Sequence, residues 1–299
     1  METLVGPEES RETQRRQDVG RGRLPDFLII GGMKCGTTSL HRYLEMHPGV
    51  FMSKKKELKF FVDAKVGNWS RGLDWYRAQF AEAQDGQIAG EATPEYTKRT
   101  VFPGAAEKIA EILPDVRLIY ILRDPIDRML SHWVHMRASG REKRGVAEAL
   151  LATDRNPYFD CSAYAMQLEP YLELFPRERI HITTMDDLER DPARTMREIF
   201  AFLGIDAEFF SDEFRKVFHA SSKKRRRTGL DLALSRVIPR PVMKRLRTVP
   251  FLENRLLVPI SKPTLTDAEH AELRTRFRGE IQKLRELTGR TFEDWRTAE

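Results

Sequence analysis

The chain has 299 residues, 40% of them hydrophobic and 32% charged, and a net charge of +6. That supplies the core of one large α/β domain or two small ones, while two cysteines, Cys35 and Cys161, are too few for a disulfide framework and fit no zinc spacing. No apolar run approaches the roughly 20 residues of a membrane-spanning helix, and the polar N-terminus lacks the apolar core of a secretory signal, so a cytoplasmic location is expected.

Residues 1–23 read as a charged, disordered tail and 24–299 as the folded domain. The apolar run Phe27–Ile30 suits a strand buried on both faces of a parallel sheet. A glycine-containing loop follows, then a helix with Leu40, Tyr43 and Leu44 on one face, ending before Pro48. GVFMS is a short strand and KKKELKFF a connecting loop. LDWYRAQFAEA predicts a helix, and GQIAGEATPEY a strand with a turn at Pro94. PGAAEKIAEILP predicts an amphipathic helix with Ile109, Ile112 and Leu113 on one face. VRLIYILRDP is the strongest strand pattern in the chain. IDRMLSHWVHMRAS is helical, and PYFDCSAYAMQLEPYLELFP is helical with an interruption near Pro170. RIHITTMDDL is a further strand, and DPARTMREIFAFLG a helix with Pro192 in its first turn and Gly204 past its end. The final helix opens with Thr266 and Glu269 at capping-box spacing.

Alternating strands and helices from Phe27 to about Gly204 predict an α/β, P-loop-like single domain with a central parallel sheet flanked by helices. Ligands of such sheets bind at the carboxyl ends of the strands. The loops after Ile30, after Phe51, at Glu91 and after Leu122 should therefore share one crevice.

The first of these loops, GGMKCGTTS, aims backbone N–H groups and a helix N-terminus at one point. Lys34 adds a charge; Thr37, Thr38 and Ser39 add hydroxyls. Gly31 and Gly36 have the spacing of the nucleotide-hydrolase loop, but Thr37 stands where that loop has its lysine. Lys34, mid-loop, would sit beside the bond joining a 5′-phosphate to whatever is attached to it, where it can neutralise a leaving oxygen. After the strongest strand come Arg123 and, eight residues later, Ser131. A guanidinium fork and a hydroxyl suit a phosphate monoester.

GMKCGTTSL together with RDPIDRMLS resembles the two nucleotide motifs of sulfotransferases that use 3′-phosphoadenosine 5′-phosphosulfate (PAPS), with Cys35 where a small residue is usual. KELKFF, GLDWY, GEATPEY and TGRTFEDW resemble the glycosaminoglycan branch, heparan sulfate-type enzymes and their bacterial relatives, so that the likeness spans roughly residues 25–296. The resemblance implies PAPS as cosubstrate, 3′,5′-bisphosphate (PAP) as product, and no catalytic metal. It places Lys34, Cys35, Gly36, Thr37, Thr38 and Ser39 on the 5′ end, and Arg123 and Ser131 on the 3′-phosphate. Tyr164 aligns near the nucleotide, although a core role fits it equally. Glu57 matches the general base, with Glu91 as rival; Glu91 and Lys59 are the expected acceptor contacts. Ala92 and Lys59 depart from the branch, which commonly has lysine and histidine there. The acceptor is then a hydroxyl or amine of a carbohydrate, small molecule or lipid.

The basic stretch SSKKRRRTG falls where the family has a late loop closing on the nucleotide, and Lys224, Arg225 and Arg226 are the residues implied, within a basic loop or lid spanning 219–262. Residues 228–258 interleave apolar and basic side chains, as a peripheral membrane contact or substrate lid would. Two alternatives remain: a kinase or NTPase using ATP and magnesium, and a basic protein binding nucleic acid through Lys223–Arg227. The paired motifs favour the transferase, with no nucleic-acid partner. His132 and His135, three apart on a helix, read as packing or surface residues rather than metal ligands.

Overall fold

The computed structural model describes residues 22–153, 156–215, 225–260 and 263–298. The chain forms two compact units, Met1–Leu122 with Met166–Lys216, and Arg123–Ala165 with Val217–Glu299.

The first unit is built on five strands: β1 (Phe27–Gly31), β2 (Val50–Met52), β3 (Ile88–Ala92), β4 (Arg117–Leu122) and β5 (Ile180–Thr184). They pair in the order β2-β3-β1-β4-β5, every pair parallel. The expected α/β class is observed: one parallel sheet flanked by helices. β1 is buried at every position, as its apolar run requires, and β4 at all but Arg117. Since the strands are parallel, all their carboxyl ends lie at one edge. The chain turns from β1 toward β2 and β3, then returns past β1 to β4, so the loop after β1 stands where the winding reverses, the usual ligand position.

Helix α1 (Thr37–Glu45) buries Leu40, Tyr43 and Leu44, as its spacing predicts. α2 (Gly72–Ala78) is shorter than its sequence suggests; turn hydrogen bonds from Gln79 to Tyr76 and from Phe80 to Arg77 close it. α3 (Ala105–Ile112) buries Ile109, and Leu113 beyond it is buried too. An aromatic cluster fills the core under the loop after β2. Phe60 stacks on Tyr76 with centroids 4.2 Å apart, and Phe61 meets Tyr96 edge-on at 5.5 Å.

The second unit opens with α4 (Pro125–Ala138), followed by α5 (Val146–Leu151) and α6 (Pro157–Asp160). The interruption expected near Pro170 lies instead at Cys161–Ala163. α7 (Tyr164–Leu174) begins after it and carries Pro170 inside. The cause is tertiary: the fully buried Arg128 guanidinium donates from Nε to Ser162 Oγ (2.5 Å) and from Nη2 to the Tyr158 carbonyl (2.9 Å), pinning that turn. α8 (Met185–Arg190) and α9 (Pro192–Leu203) return to the first unit. Pro192 opens α9 and Gly204 closes it in a left-handed cap, as expected.

Lys216–Lys224 lie outside the described residues. Beyond them the segment read as a basic loop is largely regular: β6 (Arg225–Arg227), α10 (Gly229–Val237), α11 (Arg240–Leu246), α12 (Pro250–Leu256) and β7 (Leu257–Pro259), with β6 and β7 paired antiparallel. α13 (Asp267–Thr288) starts in the predicted capping box, with the Thr266 and Glu269 side chains each bonding the other's backbone N–H. Phe277 of α13 stacks on Phe159 at 4.5 Å.

Candidate active site

At the carboxyl edge of the first unit's sheet, two loops carry residues that the sequence singles out. The first follows β1. The Gly32 N–H donates to the Ile121 carbonyl at 2.7 Å and the Cys35 N–H to the Gly32 carbonyl at 3.1 Å, closing a tight turn. A Cβ at Gly31 would lie 2.0 Å from the Thr97 hydroxyl oxygen, so only glycine fits. Lys34 (φ 74°) and Gly36 (φ 96°) are left-handed. Glycine adopts that conformation freely, whereas a lysine held there costs roughly 1–2 kcal/mol, strain of the kind that gathers at functional sites. Gly36 caps α1 without a side chain, and no acidic residue stands in its first turn. The start of α1 thus presents N–H donors and about half a positive charge without internal neutralisation. Lys34 and Thr38 are half-buried, Thr37 and Ser39 buried. Cys35 is fully buried, its side chain against Gly32 on the underside of the loop.

The second loop follows β2 and carries Glu57. The Glu57 N–H donates to the Ala92 carbonyl at 3.0 Å, and the Lys59 N–H to Thr93 Oγ1 at 3.1 Å. Glu57 (φ 64°) and Lys59 (φ 52°) are both left-handed. The Glu57 side chain is 41% exposed, with Lys56 Nζ at 3.3 Å and Lys59 Nζ at 3.9 Å. Lys59 pairs more closely with Glu95, at 2.9 Å, and Lys98 reaches the same Glu95 oxygen at 3.4 Å. Burial works against the Glu95 carboxylate, but the Lys98 and Lys59 ammonium groups outweigh it and hold that carboxyl below its ordinary range. Its other oxygen, Oε2, is buried and lacks a hydrogen-bond partner among the described residues. Lys56, Glu57, Lys59, Glu95 and Lys98 thus form one charged cluster. The sequence reading found Glu57 and Lys59 but missed Glu95 and Lys98, whose only sign was their three-residue spacing in PEYTK.

Glu91, expected at the acceptor, lies in the core. It is fully buried. The Tyr76 and Tyr96 hydroxyls donate to Oε1 at 2.8 and 2.7 Å, and the Thr93 hydroxyl to Oε2 at 2.7 Å. Burial raises its carboxyl, opposed by hydrogen bonds from Tyr96, Thr93, Tyr76 and the Leu58 backbone. Burial also drives both tyrosines well above the ordinary phenol range, so they stay donors. Tyr96 OH further accepts from the Phe60 N–H at 3.1 Å. Glu91 is therefore the anchor of the loop that carries Glu57, and no acceptor can reach it in this conformation. Beside the same loop, His41 of α1 is 4% exposed. Burial, reinforced by Lys56 and Arg42 and opposed by Glu45 and a Ser53 backbone hydrogen bond, lowers its pKa to about 4, so it is neutral near pH 7.

In the second unit, Arg123 begins the RDP motif, 24% exposed and 3.4 Å from Asp127. Asp124 caps α4: its Oδ1 accepts from the Ile126 and Asp127 N–H groups at 2.9 and 3.1 Å. The Thr297 hydroxyl and N–H add bonds at 2.7 and 2.9 Å from 173 residues away. The aspartate of that motif is thus a structural lock. Ser131 lies on α4, 6% exposed. Tyr164 is 1% exposed, 5.9 Å from the Trp295 ring, which suits the core role weighed for it. His132 packs 4.7 Å from Tyr158 and 3.0 Å from Arg128 Nη2. Arg225 and Arg226 have strand backbone in β6, while Lys224 lies outside the described residues.

The sulfotransferase domain family matches residues 24–236. Among curated proteins, the mouse (Mus musculus) heparan sulfate glucosamine 3-O-sulfotransferase 3A1 is 33% identical over 196 residues, 63% of this chain and 48% of that protein. The human (Homo sapiens) bifunctional heparan sulfate N-deacetylase/N-sulfotransferase 3 is 32% identical over 200 residues, 61% of this chain and 22% of its own length. The matched region thus amounts to about half of the first relative and about a fifth of the second. Among solved structures, a sulfotransferase from Alicyclobacillus acidocaldarius superposes with a TM-score of 0.66 at 24% identity, over 92% of this chain and 99% of that one, a likeness of fold. With the family's match covering most of the chain, on a parallel sheet whose first loop ends at an uncapped helix N-terminus, this protein belongs to the sulfotransferase domain family.

Proposed function

We propose that the protein transfers the sulfuryl group of PAPS to a hydroxyl or amine, releasing PAP. The observation that carries the reading is the loop after β1, with Lys34 and Gly36 both left-handed ahead of an α-helix that has no side-chain cap. That loop binds the 5′ end of the nucleotide through its N–H groups, Thr37, Thr38 and Ser39. Arg123 and Ser131 take the 3′-phosphate, a role resting on the motif they share with the family; Arg225 and Arg226 join them on the same ground. The acceptor oxygen attacks sulfur in line, a new S–O bond forms and the bond to the bridging oxygen breaks. Lys34 meets the charge growing on that oxygen, and Glu57 takes the acceptor proton. Burial and saturation of Glu91 favour Glu57 as the base. Lys59, with Glu95 and Lys98 behind it, lines the acceptor side. The heparan sulfate relatives favour a carbohydrate acceptor. Two buried thiols, Cys35 and Cys161, suit a reducing compartment, and a cytoplasmic location is part of the proposal, tested by cell fractionation.

The primary test is an acceptor screen with radiolabelled PAPS, products identified by mass spectrometry, in parallel with ATP and magnesium. Transfer from PAPS that persists in chelator supports the reading; turnover of ATP alone, lost in chelator, overturns it. Lys34→Ala should lower kcat about 10²–10³-fold, with an unchanged far-UV circular dichroism spectrum.

A further inference from the structure

The helix α10 is turned inside out. Its Asp231 is fully buried. Arg247, sixteen residues on, grips both carboxylate oxygens, Nε on Oδ1 at 2.6 Å and Nη2 on Oδ2 at 3.0 Å. The same Nη2 donates to Ser235 Oγ at 3.0 Å, one turn along α10, and that hydroxyl donates back to the Asp231 carbonyl. The inward face of the helix is therefore polar. Outward, at i, i+4 and i+7, stand Leu230 (52% exposed), Leu234 (half-exposed) and Val237 (84% exposed). A surface helix of a soluble protein has the opposite arrangement.

The exposure continues along the segment. Val242, Val249, Phe251 and Val258 are also exposed, so six of the ten large apolar side chains exposed among the described residues fall between 230 and 258. Singly exposed apolar residues mean little, but here they gather on one segment whose helices α10 and α12 lie against each other, as on an interaction surface. Charge limits the partner. Residues 225–260 hold nine basic residues against two acidic ones, Asp231 and Glu253. Arg236, Arg245 and Arg255 are exposed among the apolar side chains, Arg255 with its guanidinium 4.9 Å over the Phe251 ring. A polyanion such as a nucleic acid or a sulfated glycan would answer the arginines and leave Val237 and Phe251 in water. An anionic bilayer answers both, taking apolar side chains into the boundary between headgroups and acyl chains.

We propose that the exposed face of residues 229–258 docks the protein on an anionic phospholipid surface, with Leu230, Val237 and Phe251 entering the headgroup–acyl boundary and Arg236, Arg245 and Arg255 on the lipid phosphates. The inference goes beyond the transfer reaction and does not depend on which nucleotide the β1 loop binds.

The test is sedimentation of the full chain with phosphatidylcholine vesicles, with and without phosphatidylserine. The expected result is binding only with phosphatidylserine, weakening as salt rises. Arg236→Gln with Arg245→Gln should reduce affinity roughly thirtyfold, at about fivefold per arginine withdrawn from the surface. Val237→Asp with Phe251→Asp should abolish binding while PAP affinity and the circular dichroism spectrum stay unchanged. Absence of binding to the phosphatidylserine vesicles overturns the proposal. So does binding that survives Val237→Asp with Phe251→Asp and is matched on heparin, which would make the surface a polyanion site. A self-association in solution that the aspartate pair dissolves, without vesicle binding, would make it an interface between copies of the chain and equally overturn it.

Discussion

Glu57, on the loop after β2, and Glu91, on β3, are carboxylates in opposite surroundings. Glu57 is partly exposed, with two ammonium groups in reach; Glu91 is sealed under three hydroxyl donors. Substituting each should separate chemistry from scaffold. Glu57→Gln removes a proton acceptor and should lower kcat about 10²–10⁴-fold with stability unchanged, read from initial rates and urea unfolding together. Glu91→Ala strands the Tyr76, Tyr96 and Thr93 hydroxyls in the core and should cost about 2–4 kcal/mol of unfolding free energy. Glu91→Gln, which keeps acceptor capacity, should cost less. A Glu91→Ala protein of full stability whose acceptor KM alone rises would return Glu91 to the acceptor site. The sequence made both glutamates visible as candidates. It could not rank them, because the ranking depends on tyrosines 5 and 15 residues away and on the pleat that points Glu91 inward.

Elements hold these residues through a few buried polar locks, and the locks respond to pH. Between α4 and α5, Glu142 binds Arg144 through both carboxylate oxygens and accepts from Tyr158 OH at 2.9 Å. The Arg144 guanidinium, with hydrogen bonds from the Arg144 and Lys143 backbone and from Tyr158, outweighs burial and brings the Glu142 carboxyl down to about 2. A carboxyl lower in the folded than in the unfolded chain stabilises fully above the ordinary carboxylate range. That contribution, on the order of 2 kcal/mol, fades as pH falls from about 4.5 through about 2. Glu142→Gln should therefore be less stable than the parent at pH 6, with the gap closing toward pH 2 in urea titrations. His41, lowered to about 4, acts at higher pH: the unfolded chain takes up a proton that the folded chain refuses, so stability falls as pH drops from about 6.5 toward 4. His41→Gln should flatten that part of the curve. At this scale the sequence was most informative where periodicity or capping chemistry is local, as in α1, α9 and the capping box of α13. It misplaced the break before α7, because Arg128 and Ser162, 34 residues apart, set it.

At the scale of the whole molecule, Lys34 falls in the first compact unit, and Arg123 and Ser131, proposed for the 3′-phosphate, fall in the second. Under the proposed function, bound PAP should stabilise the folded chain by mass action, about 2.7 kcal/mol at a hundredfold excess over Kd. Thermal unfolding with PAP should show that rise. Lys34→Ala and Arg123→Glu should each diminish it. If Arg123→Glu leaves the PAP-induced shift intact, the 3′-phosphate role fails while that of the β1 loop stands.

Local pattern was sufficient for the parallel sheet and for the glycine loop after its first strand, because those rest on runs of apolar residues and glycines at short spacing, and the family was legible as a resemblance in GMKCGTTSL and RDPIDRMLS. Only the folded chain decided that Glu91 is an anchor, that Glu95 and Lys98 join the Glu57 cluster, that the basic segment is built of strands and helices, and that α10 shows its apolar stripe to solvent. Each of these depends on whether a polar group finds its partner elsewhere in the chain, and burying such a group is favourable only once that partner is in place.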